Sequence, residues 1–152
     1  MYGPGKLRLA QEGYTLLEAL VAVIIIGILV SIAAPIYSTA VEQARLDSAA
    51  GNLKTIWSAQ RTYWLKFHTF AAELTVLETE DLISVSLAQT QTSPDARYVY
   101  DIDSASDNSF TASAARSNST VWQGDIQIDE LGQLTGSVIK TDGLILLPQT
   151  LE

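Results

Sequence analysis

A single histidine, His68, and no cysteine leave carboxylates as the main side chains with which this 152-residue chain could do chemistry. Disulfides, thiolate zinc sites and a cysteine nucleophile are excluded. One histidine gives no basis for a His-rich metal site or a Ser-His-Asp hydrolase, so no catalytic residue is expected. His68 closes a helical pattern and is read as a cation at a helix C-terminus, not as a ligand. Asp101, Asp103 and Asp107, with Asn108, offer the oxygen atoms calcium would need. Their spacing fails the EF-hand pattern. Ala105 and Ser106 stand where a ligand and a glycine belong, and Ala112 where a glutamate belongs. A solvated acidic loop is expected there, with no metal and no cofactor. Glu18 is different, because it lies at the edge of a long uncharged apolar run. A carboxylate at the centre of a membrane span costs about 2.5–3.5 kcal/mol, and less near the interface. Glu18 therefore has either a partner or a solvated place at headgroup level.

The elements that position Glu18 are set by an uneven composition. The chain is 47% hydrophobic and only 17% charged, against about 25% charged in an ordinary soluble domain. Its net charge of −8 argues against direct binding of nucleic acid, which depends on clustered Lys and Arg. The apolar residues gather in Ala19–Ile36, where no charge occurs. As a helix that stretch spans about 27 Å, close to the ~30 Å hydrocarbon core of a bilayer. Lys6 and Arg8 precede it and hold the N-terminal end in the cytoplasm, leaving the C-terminal end outside. An ordinary secretory signal is the alternative, with Ser31-Ile32-Ala33 as its small-residue site and cleavage before Ala34. The length of the apolar run and Glu18 at its start count against that alternative.

Beyond Ile36 the apolar residues recur in steps of three and four. Leu46, Ala49, Ala50, Leu53, Ile56, Trp57, Tyr63, Trp64 and Phe67 make one stripe, while Glu42 and Gln60 fall among the polar positions between. One continuous helix from Thr15 to about Phe67 is expected, apolar all round over 14–36 and amphipathic over 37–67. Gly27 and Pro35 weaken it, by about 1 and 3 kcal/mol relative to alanine, and Pro35 cannot bond the Ser31 carbonyl. Residues 68–152 read as a small α+β head. A short helix is expected within Phe70–Leu82, and strands at Arg97–Ile102, Ser109–Ala115, Asp125–Ile128 and Gln133–Thr135. A turn at Asp129–Gly132 joins the last two. The connections favour an antiparallel meander with one face covered by the amphipathic helix; Val138–Glu152 carries no clear signal.

Gly13 followed by Tyr14, Thr15-Leu16-Leu17, Glu18 and then Ala19–Ile36, behind a leader bearing Lys6 and Arg8, resembles the type IV pilin superfamily, which includes the pseudopilins of type II secretion. The resemblance implies an α+β fold in which a long N-terminal helix packs on a small antiparallel sheet. It implies that residues 1–13 are a prepilin leader, cleaved after Gly13 by a membrane prepilin peptidase, with N-methylation of Tyr14. Glu18 would attract the new amine of a subunit at the growing end of a filament, the charge pair easing its burial in apolar surroundings. Gly27 and Pro35 would mark a segment that extends on assembly, an alternative to a simple membrane-helix kink. Tyr14 stands where the family usually has phenylalanine, and Glu12 where a basic residue is common. The implied partners are copies of the same chain, the peptidase, an inner-membrane assembly platform and the membrane itself. The implied location is the bacterial inner membrane, single pass with the head outside, and then a periplasmic or extracellular filament. The absence of cysteine leans toward a pseudopilin or a cysteine-free pilin. An exported or membrane-anchored periplasmic binding domain, using the N-terminus only as signal or anchor, is the competing reading.

Overall fold

The computed structural model of the chain describes residues 15–90, 93 and 95–149. They form helices α1 (Leu16–Phe67), α2 (Leu74–Thr79) and α3 (Val85–Ala88), then strands β1 (Tyr98–Ala105), β2 (Phe110–Arg116), β3 (Trp122–Asp129), β4 (Leu134–Lys140) and β5 (Ile145–Leu146). The fold is α+β and pilin-like, a long N-terminal helix followed by a small antiparallel sheet. The chain divides into two compact units, Met1–Thr39 and Ala40–Glu152.

In the first unit α1 is apolar on every side and stays helical through Pro35. In the second unit the helix is amphipathic, and Leu46, Ala49, Ala50, Leu53, Ile56 and Ala59 are buried at helical spacing. The expected stripe holds through Ile56 and then thins. Trp57, Tyr63 and Trp64 are half-buried, and Phe67 is 42% exposed, stacked on Tyr63 with ring centroids 4.4 Å apart. His68 ends the helix in the left-handed region, φ 57°, and its N–H donates to the Trp64 carbonyl at 2.8 Å. That single bond closes one of the carbonyls a helix end leaves open. The His68 ring meets Trp64 edge-on.

Two residues expected on the polar face are buried instead. Gln60 is fully enclosed because its amide stands in for a strand partner. Nε2 donates to the Ala71 carbonyl and Oε1 accepts the Ala71 N–H, both at 2.8 Å. Glu42 is buried because arginine side chains reach its carboxylate. A buried polar group left without partners costs about 1–3 kcal/mol, so each position depends on its contacts.

The five strands pair only with their sequence neighbours, all antiparallel, in the order β1-β2-β3-β4-β5. The meander matches expectation, and so does the helix within Phe70–Leu82; α3 was not expected. The strands run longer than their alternation announces. β3 begins at Trp122, before Gly124, and β4 continues to Lys140, with β5 in the tail that carried no signal. Gly124 (φ 125°) and Gly136 (φ 96°) explain part of this. A Cβ at Gly124 would lie 2.3 Å from the Ser137 carbonyl oxygen, and one at Gly136 2.4 Å from that of Asp125. The β3–β4 ladder thus closes where side chains cannot fit, and glycine interrupts the pattern that marks a strand. Tyr98, Tyr100, Ile102, Phe110, Ala112, Ala114, Trp122, Ile126, Ile128, Val138 and Leu146 supply the sheet's share of the core.

Candidate functional site

The N-terminal helix opens with a local device. The Thr15 carbonyl accepts the N–H groups of Glu18 (3.1 Å) and Ala19 (3.2 Å), and its hydroxyl oxygen accepts the Glu18 N–H at 3.2 Å. Thr15 is thereby the N-cap, and Thr15-Leu16-Leu17-Glu18 has the spacing of a capping box. Glu18 sits in the first turn, where the helix dipole favours a negative charge by about 0.3–1 kcal/mol. Its side chain is exposed, and among the described residues its carboxylate has no partner. Gly13 and Tyr14 lie outside the described residues.

From Leu16 to Ile36 the large apolar side chains are all exposed, Leu16 at 85% and Ile36 at 66%. An eighteen-residue window of α1 has a mean hydropathy of 2.9 with none of it buried, long and apolar enough to cross a membrane. Such surface in water is unfavourable by about 25 cal/mol per Å². The serine and threonine hydroxyls near its end are spent internally. Ser31 donates to the Ile28 carbonyl at 2.7 Å, and Ser38 and Thr39 both donate to that of Pro35, at 2.9 and 3.1 Å. Polar groups satisfied within the helix suit an apolar environment. A Cβ at Gly27 would meet nothing within 4 Å, so nothing in the described chain demands glycine there.

The head holds the residues that alternation alone missed. The buried Glu42 carboxylate receives Arg116 Nε on Oε1 and Arg116 Nη2 on Oε2 at 3.1 Å, while Arg45 Nη1 adds a 3.1 Å bond to Oε2. The Glu42 and Arg116 side chains are 1% and 2% exposed. Arg116 also donates to the carbonyls of Arg97 and Ser117. The Tyr98 O–H points at Glu42 Oε1 at 3.5 Å, and the Arg116 guanidinium lies 5.6 Å from the Tyr98 ring centre. Burial, and then the Glu42 charge, push the Tyr98 phenol well above its ordinary range, with Arg116 opposing. Burial also raises Tyr100, opposed by the Asn52 amide bonded to its oxygen at 2.8 Å. A signal for the pair was present. Glu42 is four residues before Leu46 on the buried stripe, and Arg116 continues the parity of Phe110, Ala112 and Ala114. Opposite charges therefore end two inward-facing rows.

The expected acidic loop is not one loop: Asp101 and Asp103 lie on β1, because the strand runs on to Ala105 in pairing with β2, and Asp107 lies in the β1–β2 connection. Asp101 accepts the N–H of Ile102 at 2.9 Å, Asp103 accepts the Ser113 hydroxyl at 2.9 Å, and the Asp107 carbonyl accepts Trp64 Nε1–H at 2.8 Å. Among the described residues no three His, Cys, Asp or Glu side chains are placed to hold a metal ion.

Residues 8–34 match the family model of the prokaryotic N-terminal methylation motif. No curated protein matches the chain. The motif implies prepilin peptidase processing and filament assembly in general, points to a structural protein, and with the apolar helix supports membrane anchoring. The chain thus carries the prokaryotic N-terminal methylation motif, the signal of type IV prepilins, on an α+β fold consistent with the pilin superfamily.

Proposed function

We propose that this chain is a structural subunit of a type IV pilus or type II secretion pseudopilus, assembled through its apolar N-terminal helix. The observation that carries this reading is the wholly exposed apolar surface of Leu16–Ile36 lying within and just beyond the methylation motif at 8–34. A surface of that kind needs lipid before assembly and other helices after it.

In this reading residues 1–13 are removed after Gly13, which takes away Lys6, Arg8 and Glu12. Tyr14 becomes the methylated terminus. Its positive amine attracts the Glu18 carboxylate of a neighbouring subunit, an interaction strengthened by the low dielectric of a helix bundle. The charge pair also lowers the cost of taking either ion out of water. Thr15 caps the Glu18 N–H, and the exposed Glu18 carboxylate is available to that amine. Gly27 permits close approach of another helix, and the region to Pro35 extends more readily than a fully bonded helix. The head is held outside the cytoplasm by the leader's basic residues before cleavage, and the assembly platform supplies the work of extraction.

Mass spectrometry of the chain from its native host tests this. A mature protein beginning at methylated Tyr14 is expected. Gly13→Ala should block processing, and Glu18→Ala should leave a processed chain that enters filaments poorly. A chain starting at Ala34 would instead establish the exported binding domain, and unprocessed Met1 a permanent anchor.

A further inference from the structure

Glu42 brings one negative charge to the centre of the head, and two guanidiniums hold it. Arg116 takes both carboxylate oxygens from the buried side, Arg45 takes one from the exposed side, and Tyr98 occupies what remains. The cluster therefore keeps one positive charge that its own acid does not neutralise. Arg116 is 2% exposed and Arg45 41%, so the surplus faces outward through Arg45.

Arg45 opens into a cleft of about 350 Å³ bounded by α1, α3 and the segment entering β1. Arg97 lines the same cleft, and Asp95 is the carboxylate that lines it. Among the described residues the Arg97 guanidinium and the Ser48 hydroxyl have no partner. By contrast Ser86 is bonded to Ser84, and Thr90 to the Leu87 carbonyl and the Tyr100 N–H. In a chain of net charge −8 this cleft has the opposite sign. Beside the Asp95 carboxylate its donors are the Arg97 fork, the Arg45 guanidinium N–H groups not spent on Glu42, and the Ser48 hydroxyl, which match the oxygens of a phosphate or carboxylate. Its volume is at the lower end of the range for small-ligand sites, roughly 300–1,000 Å³.

We propose that this cleft is an oxyanion-binding site, in which Arg45 and Arg97 clasp a phosphate or carboxylate group and Ser48 donates a third hydrogen bond. The group comes from a small free anion or from an acidic side chain of a second copy. Glu42 is its positioning residue, since it fixes the Arg45 fork from beneath. The site does not depend on how the apolar helix is used.

The test takes the ¹⁵N-labelled full chain in detergent micelles and follows arginine Nε–H resonances. Inorganic phosphate is titrated in, and sodium acetate in a separate series, both at constant ionic strength against chloride. Saturable shifts at Arg45 and Arg97 are expected. Arg97→Gln should weaken binding by about tenfold or more, and Lys140→Gln, outside the cleft, should not. Arg97 is exposed and unbonded through its side chain, so the variant should keep the wild-type melting temperature. Sedimentation under the same conditions separates the sources. A free anion binds without changing self-association, whereas a second copy's carboxylate is displaced, so both phosphate and Arg97→Gln lower self-association. No saturable shift with either anion, or equal affinities in wild type and Arg97→Gln, overturns the proposal.

Discussion

The two units of this chain treat their side chains in opposite ways. Along Leu16–Thr39 no residue is buried, although the segment is the most apolar in the protein. In Ala40–Glu152 the apolar side chains close on one another, and even a glutamate, an arginine and a glutamine are enclosed with partners. No buried side-chain polar atom among the described residues lacks a hydrogen bond. The head encloses a core of its own, while the N-terminal helix encloses no residue within the single chain. The buried core therefore lies in one unit and the exposed apolar run in the other, and variants should separate the two.

The largest effect expected in the head comes from splitting its buried ion pair. Arg116→Leu leaves Glu42 enclosed with the half-exposed Arg45 as its one cation, and should destabilise the head by about 3–5 kcal/mol, read by denaturant unfolding. The double variant Glu42→Leu with Arg116→Leu should recover most of that loss, because well-packed apolar pairs often replace buried ions at little cost. Neither change should alter membrane anchoring.

The converse variant strikes the helix. Ile25→Lys puts a charge near the middle of the apolar run and should weaken insertion by about 2.5–3.5 kcal/mol. Carbonate extraction of membranes would show it, with the melting of the head unchanged. An equal loss of head stability would refute the separation.

Smaller effects sharpen the contrast. Gln60→Ala strips the Ala71 N–H and carbonyl of their partners and should cost about 1–3 kcal/mol, whereas Gly27→Ala, facing open space, should leave the head's melting curve untouched. The smallest signal is alkaline. Tyr98 holds its proton more tightly folded than unfolded, since its phenol is raised above the ordinary 10.0. Its contribution is complete below about pH 10 and is lost as the pH rises further. Tyr98→Phe should flatten that part of the pH–stability curve.

Particular residues show why some of this was legible in order and some was not. The run Ala19–Ile36 announces itself because lipid-compatible length is a property of consecutive residues. The Thr15 cap on the Glu18 N–H, by contrast, emerged only from the folded geometry, although its residues are three apart. Tyr98, Tyr100 and Ile102, or Phe110, Ala112 and Ala114, alternate as half-buried strands should. β5 has two residues and owes its existence to pairing with Val138 and Ile139, so no local pattern could reveal it. Gln60 and Glu42 read as solvated because their partners, Ala71 and Arg116, come from other segments. Asp101 and Asp103 look like part of an acidic loop in order, yet lie on β1 and spend their oxygens on separate neighbours.

What the order of residues determined by itself is the division of labour: an uncharged apolar run behind an acidic residue, then an amphipathic helix and alternating strands. Those features depend on hydrophobicity and on neighbours within four positions, and such interactions are written locally. Tertiary structure alone decided which charges went inside, where the strands ended, and that Arg45 and Arg97 share one cleft. Burial of a charge depends on whether a distant donor arrives to replace water, and distance along the chain does not encode that arrival.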